Sequence, residues 1–229
     1  MEKPLRYLCE ELGYQFKCMQ LLKEAVTHRS FSAEYKIDYD NQRLEFLGDA
    51  VVEIIITNML YRRYTEEPEG ILTKIRAALA RQEALAEIAR ELDLAEYLRV
   101  GRGESASGGH NRDSTLCDAF EAVAGAIYLD GGYEVAEQVL EPLFDKIFPE
   151  PHNLLNSSNP KGKLQEFVQR GGSSSAPKYQ IENKEGPDHD CTFTVSVTIK
   201  GEKIAEGKGR NRKLAEMQAA MKALEVLSS

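Results

Sequence analysis

No tryptophan occurs among the 229 residues, and cysteine is scarce at four. Cys9, Cys18, Cys117 and Cys191 form no CxxC pair and no zinc spacing, which excludes a cysteine zinc module and leaves free thiols in a reducing compartment as the expectation. No apolar run reaches membrane length. The richest stretch, Ala50 to Leu60, is interrupted by Glu53 and Asn58. The opening residues Met1-Glu2-Lys3-Pro4-Leu5-Arg6 have no apolar segment behind their charges, so no secretory signal is expected and the chain reads as cytoplasmic. A P-loop is absent, so no nucleotide cofactor is implied. Gly101-Arg102-Gly103 does not continue into a dinucleotide fingerprint, and Gly103 to Ser107 stops one residue short of a nucleophile elbow. His28 lacks a second histidine at ligand spacing and reads as structural.

The balance that remains is that of a globular chain, with 42% hydrophobic and 29% charged residues. The net charge of −8 argues superficially against a polyanionic partner, but its distribution is uneven. From Ser157 onward 12 Lys and Arg face 9 Asp and Glu, a balance of +3, whereas residues 1–156 carry 17 against 28, or −11. An acidic part that meets a nucleic acid needs either cations or a basic helper.

Apolar residues at three- and four-residue spacing predict helices over Leu5–Leu12, Met19–His28, Gln42–Tyr64, Gly70–Leu92, Asp113–Asp130 and about Val135–Ile147. Gly101 to Gly109 has the composition of a loop, and Pro149 to Pro160 that of a linker. The pattern then changes. Lys163–Arg170 reads as a short helix and Tyr179–Asn183 as a strand. Cys191, Phe193, Val195, Val197 and Ile199 alternate with Thr192, Thr194, Ser196 and Thr198, which predicts a strand with one buried and one wet face. Lys200-Gly201-Glu202 turns the chain into a strand near Lys203–Gly207, and Leu214, Met217, Met221, Leu224 and the neighbouring alanines mark a final amphipathic helix. The expected architecture is multidomain: an all-α domain over 1–150, a linker over 151–159, and a small α+β domain of order α-β-β-β-α over 160–229.

Two pairs of acids stand out. Glu45 and Asp49 are four apart, and Asp118 and Glu121 three apart, so each pair shares one helix face. Alone, such spacing usually marks a solvated face. Here Val51, Val52, Ile54, Ile55 and Ile56 follow the first pair, and Ala122 to Leu129 the second. A helix apolar all round is buried, so these acids are expected at the ends of core helices, partly removed from water. Like charges held there must bind protons or a cation, and a hard divalent ion, above all magnesium, suits an all-carboxylate set. Carboxylates holding such an ion can support phosphodiester hydrolysis. Lys208, Arg210, Arg212 and Lys213 gather where the last helix begins, at free backbone N–H groups that favour phosphate.

Asn41-Gln42-Arg43-Leu44-Glu45-Phe46-Leu47-Gly48-Asp49-Ala50-Val51 resembles the hallmark motif of the ribonuclease III family, and Asp118 to Asp130 resembles its second acidic segment. Thr27-His28-Arg29-Ser30 and Gly108-Gly109 fit the same pattern, and the match spans nearly the whole chain in order. The resemblance implies an all-α endonuclease domain that hydrolyses double-stranded RNA with Mg²⁺, for which Mn²⁺ can substitute. It implies Glu45, Asp118 and Glu121 as metal ligands, Asp49 and Glu121 as the residues on which hydrolysis most depends, and Phe46 as the dimer contact of a two-fold homodimer. It further implies 5′-phosphate products with short 3′ overhangs, and ribosomal precursors and structured messengers as substrates. Gln42 stands where many bacterial members have Glu and cannot be an anionic ligand. His110-Asn111-Arg112 is less basic than is common there.

The second half resembles a double-stranded-RNA-binding domain, which reads A-form shape rather than sequence. The resemblance assigns Gln165 and Glu166 to 2′-hydroxyl contacts, the Gly186-Pro187-Asp188-His189 loop to the minor groove, and Lys208, Arg210, Arg212 and Lys213 to phosphates. Asn211-Arg212-Lys213 replaces a common Lys-Lys pair with its charge kept. The alternatives are a non-catalytic double-stranded-RNA binder that keeps this fold, and a protein-interaction scaffold. A binder has no need of four acids at one core helix end.

Overall fold

The computed structural model describes residues 3–158, 160–170, 176–186 and 191–228. The chain divides into two compact units, Met1–Pro151 and His152–Ser229.

The first unit is helical throughout, as expected, around α4 (Gln42–Arg63) and α8 (Asp113–Gly131). From Thr115 to Ile127 every residue of α8 is buried except Asp118 and Glu121. On α4 the residues Leu44, Gly48, Val51, Val52, Ile55, Ile56, Met59 and Leu60 form the buried stripe. The two helices approach unusually closely. A Cβ on Gly48 would lie 1.7 Å from the Glu121 carbonyl oxygen, and one on Gly125 would lie 2.4 Å from the Leu44 carbonyl oxygen. Only glycine permits that approach at both positions. Around this pair pack α1 (Leu5–Leu12), α2 (Met19–Ala25), α5 (Glu69–Leu79), α6 (Gln82–Glu91) and α9 (Tyr133–Ile147). Their core includes Leu8, Ile75, Leu79, Leu85 and Ile88, with Phe120 and Phe144 edge to face at 6.2 Å.

Several expectations need correction. Gly70–Leu92 is two helices, α5 and α6, because Ala80 ends the first turn sequence and Arg81 is extended. Met19–His28 stops at Ala25, since Thr27 leaves the helix to bridge Arg99. A further helix, α3 (Arg29–Tyr35), follows at once, capped by His28, whose Nδ1 accepts from the Ser30 backbone N–H. The Gly101–Gly109 stretch holds a short helix, α7 (Arg102–Ala106). Its entry is tied down: Gly101 N–H donates to Ser30 Oγ at 2.9 Å, and Arg102 pairs with Glu34. The stretch with linker composition contains α10 (His152–Ser158). Finally, α4 is not buried on all sides: Ile54 is 46% exposed and Phe46 84% exposed, on one stripe with Ala50.

The second unit runs α11 (Pro160–Arg170), β1 (Lys178–Glu185), β2 (Thr192–Ile199), β3 (Glu202–Gly209) and α12 (Arg212–Ser228), after α10. The strands form one antiparallel sheet in the order β1-β2-β3. Lys200 and Gly201 both have positive φ, 53° and 88°, the two-residue turn that matches strand twist between β2 and β3. Val197 packs on Leu164 and Val168 of α11 and on Ala219, Ala220 and Ala223 of α12. The alanines and Gly207 bring α12 down onto β3. The expected alternation in β2 is kept only in part: Val195, Ser196 and Val197 are all buried, and Phe193, Thr194, Thr198 and Ile199 are all half-buried. Ser196, on the face expected to be wet, is buried at the sheet centre, where its hydroxyl donates to Glu182 at 2.6 Å.

Candidate active site

The α4–α8 crossing decides where the acids go. Gly48 immediately precedes Asp49, and Gly125 lies one turn beyond Glu121. The contact that admits no Cβ therefore also draws Glu45 and Asp49 of α4 to Asp118 and Glu121 of α8. Their mutual influence is visible in their protonation. Burial pushes Glu121 up to about 7, and the charges of Asp49, Asp118 and Glu45 push the same way. Glu45 is raised first by burial and then by Asp118, with Asp49 adding to it. Asp118 is raised by burial, against the pull of His28 and Arg29. Desolvation and like charge thus act together on one spot, the signature of a site that holds a cation or a proton.

Glu45 and Asp118 line a cavity of about 310 Å³ together with His28, Arg29, Asn41 and Gln42. Asn41 is buried at the start of α4; its N–H donates to the Thr27 carbonyl, and its carbonyl accepts from Glu45 N–H at 2.8 Å. The Thr27–Arg99 bridge thereby fixes the first turn of α4 and with it Glu45. Arg112 closes the far wall, paired with Glu104 at 2.8 Å. Gln42 is exposed and lines the cavity without a negative charge.

Sequence reasoning missed three features. Cys117, read only as a free buried thiol, has its Sγ 3.7 Å from Glu121 Oε1, and its sulfur groups with carboxylate oxygens of Asp118 and Glu121 within 4.8 Å. Gly48 and Gly125 carry the helix crossing. Arg29 supplies positive charge beside Asp118. Gly48 between two acids, and Cys117 four residues before Glu121 on one helix, were visible signals; the roles of Gly125 and Arg29 needed the crossing itself. The donor set, carboxylates with one sulfur, fits a divalent ion.

Phe46 stands away from the acids, at the rim of an open groove of about 1300 Å³ lined by Leu21, Ile37, Tyr39, Leu47 and Leu129.

In the second unit, Asn211 Oδ1 accepts from Leu214 N–H at 2.9 Å and caps α12. Lys208, Arg210, Arg212 and Lys213 are exposed around that helix start. Buried Glu216 accepts from Arg212 Nε at 2.7 Å and from Lys161 Nζ at 2.5 Å, which ties α11 to the basic turn. Gln165 and Glu166 are exposed on α11. His189, with Pro187 and Asp188, lies outside the described residues.

Fold and site together define a class: a helical, acid-centred domain followed by an α-β-β-β-α nucleic-acid-binding domain. A family model described as Ribonuclease-III-like matches residues 19–147, and one described as the double-stranded RNA binding motif matches residues 160–227. Ribonuclease 3 of Symbiobacterium thermophilum is 45% identical over 218 residues, 95% of this chain and 92% of that one. Ribonuclease 3 of Vibrio cholerae is 41% identical over the whole of both chains, at 100% coverage. A crystal structure of the nuclease domain of ribonuclease III from Campylobacter jejuni aligns with TM-score 0.61 and 40% identity, covering 65% of this chain and 98% of that one. The chain belongs to the ribonuclease III family.

Proposed function

We propose that the protein is an endoribonuclease that hydrolyses phosphodiester bonds in double-stranded RNA with Mg²⁺, leaving 5′-phosphates and short 3′ overhangs. Its expected substrates are ribosomal precursors and structured messengers in the cytoplasm. The observation that carries this reading is the convergence of half-buried Glu45, Asp118 and Glu121 from α4 and α8, with Asp49, which is exposed rather than partly buried as expected, adding its charge beside them.

Glu45, Asp118 and Glu121 would hold the ion, and Mn²⁺ suits the same oxygen-rich set. When bound, it would activate a water and stabilise the leaving oxygen. Asp49 adds the fourth negative charge and, with Glu121, is the residue on which turnover should most depend. Arg29, on the same cavity wall, offers a cation to a phosphate entering there. Gln42 is placed to hydrogen-bond RNA rather than metal. In the second domain, Lys208, Arg210, Arg212 and Lys213 would hold phosphates, and Gln165, Glu166 and His189 would meet the minor groove.

A homodimer is supported by the exposed stripe Phe46–Ala50–Ile54 beside an open groove that mixes polar side chains with Leu21, Ile37, Leu47 and Leu129, a pairing that two copies would satisfy reciprocally. In support, one Campylobacter jejuni nuclease-domain structure of 40% identity is described for flexibility in a region involved in dimer formation of that protein.

The test is incubation of a long RNA duplex with the protein and Mg²⁺, alongside Glu121→Gln. Ordered cleavage by the unaltered protein and none by the variant, with duplex binding kept in both, is the expected result. An intact duplex in both reactions would favour a non-catalytic binder.

A further inference from the structure

We propose that Cys117 adds a sulfur donor to the acid cluster, so that the centre also takes a thiophilic divalent ion of the zinc or cadmium class through Cys117 Sγ and carboxylate oxygens of Asp118 and Glu121. The inference rests on the reading of the cluster as a divalent-ion site and concerns which ions that site admits.

Cys117 and Glu121 are one turn apart on α8, so they leave the helix on the same side, with Asp118 beside them. The Sγ and carboxylate oxygens lie within 4.8 Å of one another, and Sγ is 3.7 Å from Glu121 Oε1. Around a tetrahedral ion with metal–sulfur and metal–oxygen bonds of about 2.3 Å and about 2.1 Å, such donors stand ~3.6 Å apart. The sulfur–carboxylate pair already has that spacing. Among the described residues this is the one group of three His, Cys, Asp or Glu side chains so arranged. The other thiols, Cys9, Cys18 and Cys191, belong to no such group.

The chemistry of the donors then sets the selectivity. Magnesium takes oxygen ligands and keeps several of its waters, whereas thiolate selects softer ions. Binding of the soft ion replaces the Cys117 S–H bond with a sulfur–metal bond, and the proton leaves to solvent. Because Asp118 and Glu121 serve both ions, the soft ion and magnesium compete for one place. A zinc-class ion therefore acts as an inhibitor bound at the centre itself rather than at a separate site.

The full-length, metal-stripped protein is titrated with Cd²⁺ while the ultraviolet thiolate-to-cadmium charge-transfer band is recorded, then back-titrated with Mg²⁺. One saturable band per chain is expected, reversed by Mg²⁺ and absent in Cys117→Ala. In Cys117→Ser, which keeps the size of the buried side chain, cadmium affinity should fall by at least roughly tenfold. A band of equal intensity in Cys117→Ala, or no band in the unaltered protein, overturns the proposal. Manganese binding, followed in parallel by electron paramagnetic resonance, reports the carboxylates independently of sulfur. Manganese bound without a Cys117-dependent band removes the sulfur donor alone; failure of both ions to bind removes the underlying site as well.

Discussion

Glu121 is a half-buried carboxyl among three other acids. Its carboxyl is raised from 4.5 to about 7, by burial first and then by Asp49, Asp118 and Glu45. The sign of the linkage follows. The folded, metal-free protein binds this proton more tightly than the unfolded chain, so the associated stability is full below the ordinary carboxylate value and is lost as pH rises towards 7. Thermal melts in chelator should therefore show stability falling across that window, and Glu121→Gln should flatten the slope. At pH 8 the same variant should be more stable than the parent by about 1 kcal/mol, a modest figure because water reaching the half-buried carboxyl screens the repulsion. Divalent ions should reverse the trend, since they bind the ionised form and tighten as pH rises. A pH-independent melting temperature would remove the crowding of charge on which the site is built.

At the scale of elements, the crossing of α4 and α8 is what turns two ordinary acid pairs into one cluster. Gly48→Ala places a methyl group against the Glu121 backbone, so the helices must separate. The expected cost is about 1–3 kcal/mol or more, together with loss of divalent-ion binding. Calorimetric titration of a still-folded variant measures the second effect apart from the first. In the other domain, reversing the charge of Arg212 and Lys213 to Glu should reduce duplex affinity similarly across RNA sequences and lower the salt dependence by about one unit of slope per lost phosphate contact. Sequence-specific losses would argue for base reading instead.

The same scale shows what the amino-acid order made visible. α4, α8 and α9 are long and apolar at helical spacing, and Cys191 to Ile199 alternate in sequence, so each element could be read directly; α12 was legible as a helix, but its buried face is Ala215, Ala219, Ala220 and Ala223, with Leu214 and Met221 exposed. The break between α5 and α6 could not, because Ala80-Arg81 contains neither glycine nor proline and the apolar pattern runs through it. α3 was invisible for the opposite reason: of its seven residues only Ser32 is buried, so no stripe exists to detect. The four acids were legible as pairs. That they meet depends on a backbone contact between residues far apart in sequence, whereas Cys117 joins Asp118 and Glu121 through spacing on α8 alone. Ser196 was assigned to the wet face because alternation reports facing, whereas burial at a sheet centre also depends on the neighbouring strands.

At the scale of the whole molecule, an acidic helical domain of balance −11 is joined to a basic one of balance +3, and duplex RNA must be held against the first. The second domain should therefore supply affinity that salt weakens. Removing residues 159–229 is expected to weaken duplex binding strongly at physiological ionic strength while leaving some cleavage at low salt. Total inactivity of a folded, dimeric truncation would contradict that division. Phe46→Ala should shift the protein from dimer to monomer in sedimentation, since a large aromatic at the centre of an interface is worth about 2 kcal/mol or more per site.

The nuclease reading depends on a divalent ion neutralising the acids of α4 and α8. Diffraction from crystals grown with Mn²⁺, collected at the manganese edge, addresses that claim most directly. An anomalous peak within bonding distance of Glu45, Asp118 and Glu121 is the predicted result. A peak elsewhere, or none at saturating manganese with the four side chains ordered, contradicts the account.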